Sequence, residues 1–228
     1  MRVRPSTGFW LLAFGFLFVT LTGCAQVEGT GSAIRNTFDV FSGDTALKAA
    51  KAMENDQLPD QRRQGINKLV SHDYGKHDPY TKRYGQIARN DPDWLVRATA
   101  LRAMNRARYK AGTPIYIEAL QKDPEAHVRL EAAKALANIP DPAAAEPLMK
   151  IVTSAGEDKD LRIAAADALK HYRKLDVGRA LVSQLGNTND FGVAYKSRQS
   201  LQQLTGRDLR YDEAAWIAFL TGPAKPLG

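Results

Sequence analysis

Five segments of this chain copy one another. Set in register, they are LPDQRRQGINKL (58–69), DWLVRATALRAM (93–104), EAHVRLEAAKAL (125–136), DKDLRIAAADAL (158–169) and DFGVAYKSRQSL (190–201). Their closing residues, Leu69, Met104, Leu136, Leu169 and Leu201, stand 35, 32, 33 and 32 positions apart. Seven residues before each of the first four is an arginine (Arg62, Arg97, Arg129, Arg162), and the fifth copy has Ala194 in that place. A period in the low thirties constrains the fold more than any local propensity does. Each unit is too small to bury its own apolar face, so it must stack on its neighbours.

Each period has room for two helices. In the second, Val128, Ala132, Ala135 and Leu136 fall at i, i+4, i+7 and i+8, one helical face. Alanine on that face lets neighbouring helices approach closely. First helices are expected in GTPIYIEALQ (112–121), AAAEPLMKIV (143–152) and VGRALVSQL (177–185). Asp-Pro pairs at Asp78-Pro79, Asp91-Pro92, Asp123-Pro124 and Asp141-Pro142 mark the joints, Asp as cap and Pro in the first turn. Sustained period-2 alternation is absent, which predicts an all-α chain without a sheet.

The pattern Asp123-Pro124, Val128-Arg129, Ala132, Ala135-Leu136 resembles the HEAT-like repeats of the armadillo/HEAT superfamily, and Asp91-Pro92, Val96-Arg97, Ala100, Ala103-Met104 follows it closely. The resemblance implies a right-handed α-solenoid of about five HEAT-like helical hairpins over residues 44–206. It also implies a ladder between repeats, from an acid six positions before the arginine. Asp56/Arg62, Asp91/Arg97 and Asp123/Arg129 keep that spacing; the fourth copy has Glu157 and the fifth no arginine, so the ladder is expected only through the third repeat. Residues 207–228 are expected to form a C-terminal capping helix and tail. LQQLTGRDLRYDEAAWIAFLTG (201–222) resembles the tail of HEAT-repeat proteins of planctomycete-type bacteria. Gly206 would stop the fifth pair in a left-handed cap, Asp212 would cap the last helix, and Trp216, Phe219 and Leu220 would face inward onto Leu201 and Leu204.

Ahead of the repeats the chain has a different character. Arg2 and Arg4 precede GFWLLAFGFLFVTL (8–21), and Thr22-Gly23 lead into Cys24, the only cysteine among 228 residues. That three-part layout reads as a signal peptide over residues 1–23, the apolar run being short of the ~20 residues of a spanning helix. The stretch LTGC resembles the bacterial lipobox. The resemblance implies lipid on Cys24, with palmitate-type acyl chains, as the mature N-terminus. A flexible tether over 24–43 would follow. With Ala25 next to the cysteine, the expected location is the cell envelope, on the periplasmic face of the outer membrane in preference to the inner. A single cysteine excludes an intramolecular disulfide.

The chain carries 32 Lys+Arg against 25 Asp+Glu, a charge of +7, of which +5 remains after residues 1–23. An anchored envelope protein does not meet the genome, so nucleic acid is not an expected partner and attraction to anionic headgroups is the economical reading. No Gly-rich phosphate loop, G-x-S-x-G elbow or His-Glu pair occurs. HDYGKHD (72–78) reads as a loop, not a metal site, so no metal and no cofactor are expected. Chromophore lyases share the repeat family, but they act in the cytoplasm.

Together these features predict a monomeric, non-catalytic, lipid-anchored scaffold that binds a protein partner on its concave face, with an envelope enzyme or a structural spacer as alternatives. The residues five and two before each closing residue should point outward there. The candidates are Gln64, Asn67, Thr99, Arg102, Glu131, Lys134, Asp167, Lys196 and Gln199, with Ala164 at the same register.

Overall fold

A computed structural model describes residues 44–227 apart from 188, 224 and 225; the expected signal peptide, Cys24 and the tether lie outside the described residues. Eleven α-helices follow one another, with no strand among the described residues. They are α1 (Asp44–Met53), α2 (Pro59–Ser71), α3 (Tyr80–Asn90), α4 (Trp94–Arg106), α5 (Thr113–Lys122), α6 (Ala126–Asn138), α7 (Ala145–Thr153), α8 (Lys159–Leu169), α9 (Leu175–Val182), α10 (Phe191–Thr205) and α11 (Glu213–Thr221). The first ten form five antiparallel pairs. None of these helices is long and apolar enough to cross a membrane.

The second helices α2, α4, α6, α8 and α10 pack in succession and form the tight layer of the array, while the first helices touch one another more sparingly. The alanines explain the difference. Ala132, Ala133 and Ala135 on α6 and Ala165, Ala166 and Ala168 on α8 are fully buried, and small side chains let the axes come close. Val128, Leu136, Leu161 and Leu169 fill what remains between layers. The same demand is strongest at Gly65 on α2. A Cβ there would lie 2.4 Å from the amide nitrogen of Met53 and 2.5 Å from the carbonyl oxygen of Ala49, so α1 and α2 cross backbone against backbone.

The joints differ in one respect from the expectation. Asp141 does accept from the Ala143 amide at 2.9 Å, ahead of a 3-10 turn that begins at Pro142. Asp78, Asp91 and Asp123 do not cap: α3 starts from Pro79 with no side-chain cap, and Asp78 takes the Thr81 hydroxyl instead. The cap of α4 is Asp93, whose carboxylate accepts from Leu95 and Val96. Asp91 and Asp123 sit two residues upstream of the capping positions, where arginines of the preceding repeat claim them.

The C-terminal end is closed as the sequence indicates, with one correction. Gly206 ends α10 at φ 72°, its N–H bonded to the Gln202 carbonyl at 2.8 Å. Asp212 accepts from the Ala215 amide at 2.9 Å at the start of α11, and Trp216 is fully buried. However, α11 packs on α9, the first helix of the fifth pair, and not mainly on the second helix that carries Leu201 and Leu204. Gly178 on α9 makes this possible: a Cβ there would meet Leu220 at 2.9 Å and Leu227 at 2.7 Å. Arg173 ties the closure together, donating to the carbonyls of Leu204 (2.6 Å) and Pro226 (2.8 Å).

Candidate functional site: the second-helix face and its ion-pair seams

The ladder comes first because it fixes the geometry of everything beside it. Arg62 donates to both carboxylate oxygens of Asp91, at 2.8 and 2.9 Å, and Arg97 does the same to Asp123. A third nitrogen of Arg97 reaches back to the carbonyl of Asp91 at 3.0 Å, and Arg129 makes the equivalent bond to the carbonyl of Asp123. Each guanidinium therefore fastens its own turn and the next repeat's turn at once. The ladder does not stop at the third repeat as expected. Arg129 pairs with Glu157 at 2.7 Å, and Arg162 pairs with Asp190 and with Gln184. It ends where Ala194 replaces the arginine.

On the face of the second helices, the sequence candidates divide into two groups. Gln64, Asn67, Arg102 and Lys134 are exposed, and Asp167, Lys196 and Gln199 are half-buried. Thr99 and Glu131 do not point outward: they are 3 % and 7 % exposed, and Ala164 at the same register is also buried. The reason is the register of the stack. The residue two before the closing position of one repeat lies against the residue five before it in the next. Arg102 thus reaches Glu131 at 3.1 and 3.2 Å, and Asp167 reaches Lys196 at 3.4 Å. Half of the expected stripe forms the seam between helices. Thr99 fits there because its hydroxyl donates to its own helix, to the Leu95 carbonyl at 2.7 Å.

Glu131 is a buried carboxylate held between two cations, Arg102 and Lys134. Burial works to raise its pKa, yet the two cations outweigh that penalty and hold the carboxyl below its ordinary 4.5. A depressed carboxyl contributes stability above the unfolded-state pKa and loses it as the pH falls through the folded value. Glu131→Gln should therefore be less stable than wild type at neutral pH, with the gap narrowing on acidification below 4.5. Urea midpoints at pH 7 and pH 3.5, about one unit below that value, would check this; a constant gap would mean the carboxylate is not the stabilising form.

One cluster on this face was missed. Phe191 and Tyr195 are 63 % and 44 % exposed at the start of α10, and Phe191 also meets Tyr211, its ring centroid 5.9 Å away. Arg198 lies 5.1 Å over the Tyr211 ring and pairs with Asp208, pulling that carboxyl down to about 2. The available signal was an aromatic pair four residues apart in the one copy that lacks the ladder arginine. A smaller contact, Trp94 against His127 at 5.4 Å, joins the starts of α4 and α6. In HDYGKHD, His72 stacks on Tyr74 and His77 lies 3.5 Å from Asp73. Among the described residues, no three His, Cys, Asp or Glu side chains converge to hold a metal ion.

The match to known families falls on this same scaffold. Residues 81–170 match the family model described as HEAT repeats, a span running from α3 through α8 and so covering the second to fourth pairs. No curated protein matches the chain. The first and fifth pairs continue the same packing and the same arginine ladder on either side of the matched span. The chain is an α-solenoid of helical hairpins with HEAT repeats at its centre, a scaffold type associated with protein–protein interaction.

Proposed function

We propose that this solenoid is a lipid-anchored scaffold of the cell envelope that holds a protein partner against the concave face formed by its second helices and performs no catalysis. The observation that carries the reading is the stripe Gln64, Asn67, Arg102, Lys134, Asp167, Lys196 and Gln199, which runs the length of the second-helix layer. It is polar and of mixed sign, and its backbone is held rigid by the ladder and the seam ion pairs. A rigid surface with alternating charges suits the mosaic surface of a protein, since little entropy is lost on docking. Cys24 supplies the anchor, through the lipobox that precedes it, and the periplasmic face of the outer membrane is the proposed location.

The structure guides the choice of variants. Arg102 and Lys134 neutralise the buried Glu131, so changing them would disturb the fold as well as the face. Asn67 and Gln199, near the two ends of the stripe, support no buried charge. The partner retained by wild type from detergent-solubilised membranes should be lost at least about ten-fold from Asn67→Arg/Gln199→Arg, a change equal to one hot-spot residue. Gln121→Arg, on a first helix, should retain it. Equal retention by both would overturn the concave-face reading and favour a spacer. In the same cells Cys24→Ser should lose lipid labelling and accumulate as precursor; normal processing of the mutant would overturn the anchor.

A further inference from the structure

The antiparallel pairs divide the loops between two edges, and the edges differ in charge. Turns within pairs carry the ladder acids Asp91, Asp123, Glu157 and Asp190, each engaged by an arginine. Turns between pairs lie on the opposite edge, where side chains reach to the C-terminal ends of neighbouring second helices. Arg108 donates to the Asn138 carbonyl at 2.9 Å, and the His171 ring nitrogen lies 2.8 Å from the Ala137 carbonyl.

On that second edge two turns are wholly basic. Residues 106–112 read RARYKAG and 170–174 read KHYRK, and no acid occurs between positions 94 and 117. Arg106, Arg108, Lys110, Arg173 and Lys174 are all exposed. Among the described residues none of these five has a carboxylate partner, whereas the ladder arginines and Arg102 are paired from repeat to repeat. Arg108 and Arg173 are accounted for by the helix-end carbonyls they bond, where a cation complements the dipole. Among the described residues the side chains of Arg106, Lys110 and Lys174 bond nothing, and folding does not explain them. Arg106 and Arg108 also share one shallow hollow with Lys76, beside the hydrogen-bonded amides of Asn105 and Asn138.

We infer that this edge is a docking surface for the anionic headgroups of a phospholipid bilayer, and that it sets the orientation in which the scaffold stands on its membrane. The inference rests on the anchoring proposed for Cys24. Three features favour a bilayer. The two basic turns belong to alternate joints, about 20 Å apart at ordinary helix spacing, so they offer separated points of charge on an edge and no groove for a peptide. The aromatic side chains of these turns are turned inward, Tyr172 buried and Tyr109 half-buried, so no ring is presented for a base to stack on. Long exposed cations near an anionic surface act additively, and only within a Debye length, which a lipid anchor would provide. Held by this edge, the solenoid would leave the second-helix face clear of the bilayer.

The test uses the full chain reconstituted in vesicles of phosphatidylcholine, with or without about 30 % phosphatidylglycerol. A water-soluble amine reagent labels exposed lysines, and mass spectrometry reads each site. On anionic vesicles Lys110 and Lys174 should label about five-fold more slowly than Lys122 and Lys159 on the other edge, and roughly 0.5 M salt should abolish the difference. Arg106→Glu/Lys174→Glu, at two exposed side chains without partners, should return Lys110 to the common rate while circular dichroism stays unchanged. Equal labelling at all four lysines would overturn the inference, as would equal slowing on neutral vesicles. The Cys24→Ser chain mixed with the same vesicles separates the two readings. Slowed labelling there keeps the edge assignment even where no acyl mass is found on Cys24. Acylated Cys24 with unslowed labelling overturns the edge alone.

Discussion

Trp216→Ala should lower stability by ~3–5 kcal/mol, the range for deleting a large buried aromatic, and the loss should fall on one end of the molecule. Trp216 is fully buried, with its ring edge toward Phe219 at 6.3 Å, and its indole N–H donates to the Arg210 carbonyl at 3.0 Å. Truncation removes the packing and leaves that carbonyl without its donor. The helix that carries Trp216 rests on α9 through the Gly178 contact, so the fifth pair loosens first. In a one-dimensional array each pair touches only its neighbours, and the disturbance should decay along the stack. Amide exchange should accelerate over residues 175–205 while residues 94–138 keep wild-type protection. Trp216→Phe, which keeps most of the apolar volume and loses the N–H, should cost only about 1 kcal/mol through the hydrogen bond. Exchange that accelerates uniformly from end to end would show that the pairs are coupled too strongly for a terminal unit to fray.

Trp216 was legible in the sequence because its signals are local. A left-handed glycine, a capping aspartate and apolar residues at i, i+3 and i+4 all lie between positions 206 and 220, and each has its own local cause. The five-fold period was legible for a similar reason, since a helical face reads directly from spacing. What spacing could not give was the partner of each side chain across a joint. Arg129 finds Glu157 and Arg162 finds Asp190, although neither acid stands six places before an arginine. The folded turn brings a carboxylate to the guanidinium even where it arrives one residue late, as Glu157 does, or two, as Asp190 does. Thr99 and Glu131 failed as surface residues for the complementary reason. On an isolated helix their register faces outward, and only the neighbouring second helix, arriving at the close distance its alanines permit, covers them. The aromatic cluster at Phe191, Tyr195 and Tyr211 joins residues 20 positions apart through the turn after α10, which no helical periodicity reports.

Asp123→Ala should be the more disruptive change in the middle of the array, at ~3–5 kcal/mol, because it leaves a charged group without its partner. The Arg97 and Asp123 side chains are 12 % and 8 % exposed. The carboxylate accepts from Arg97 at 2.8 and 2.9 Å and from the Glu125 amide at 3.0 Å. Removing it strands the guanidinium in a site built for an anion. Removing both partners is a different matter. In Arg97→Met/Asp123→Ala the methionine can fill the volume with no charge to desolvate, so most of the loss should be recovered. An exposed inter-repeat pair provides the control. Arg83 on α3 bridges to Glu54, just past the end of α1, with side chains 42 % and 46 % exposed, and Glu54→Ala should cost less than about 1 kcal/mol. Because the Arg97–Asp123 ion pair ties the second pair to the third, the single variant should also weaken cooperativity, with urea unfolding broadening into two steps. If Asp123→Ala costs no more than Glu54→Ala, the ladder is decoration on a stack held by its alanines and leucines. If the double variant is as damaged as the single, the arginine's hydrogen bonds to the Asp91 and Pro92 carbonyls, and not its ion pair, hold the joint.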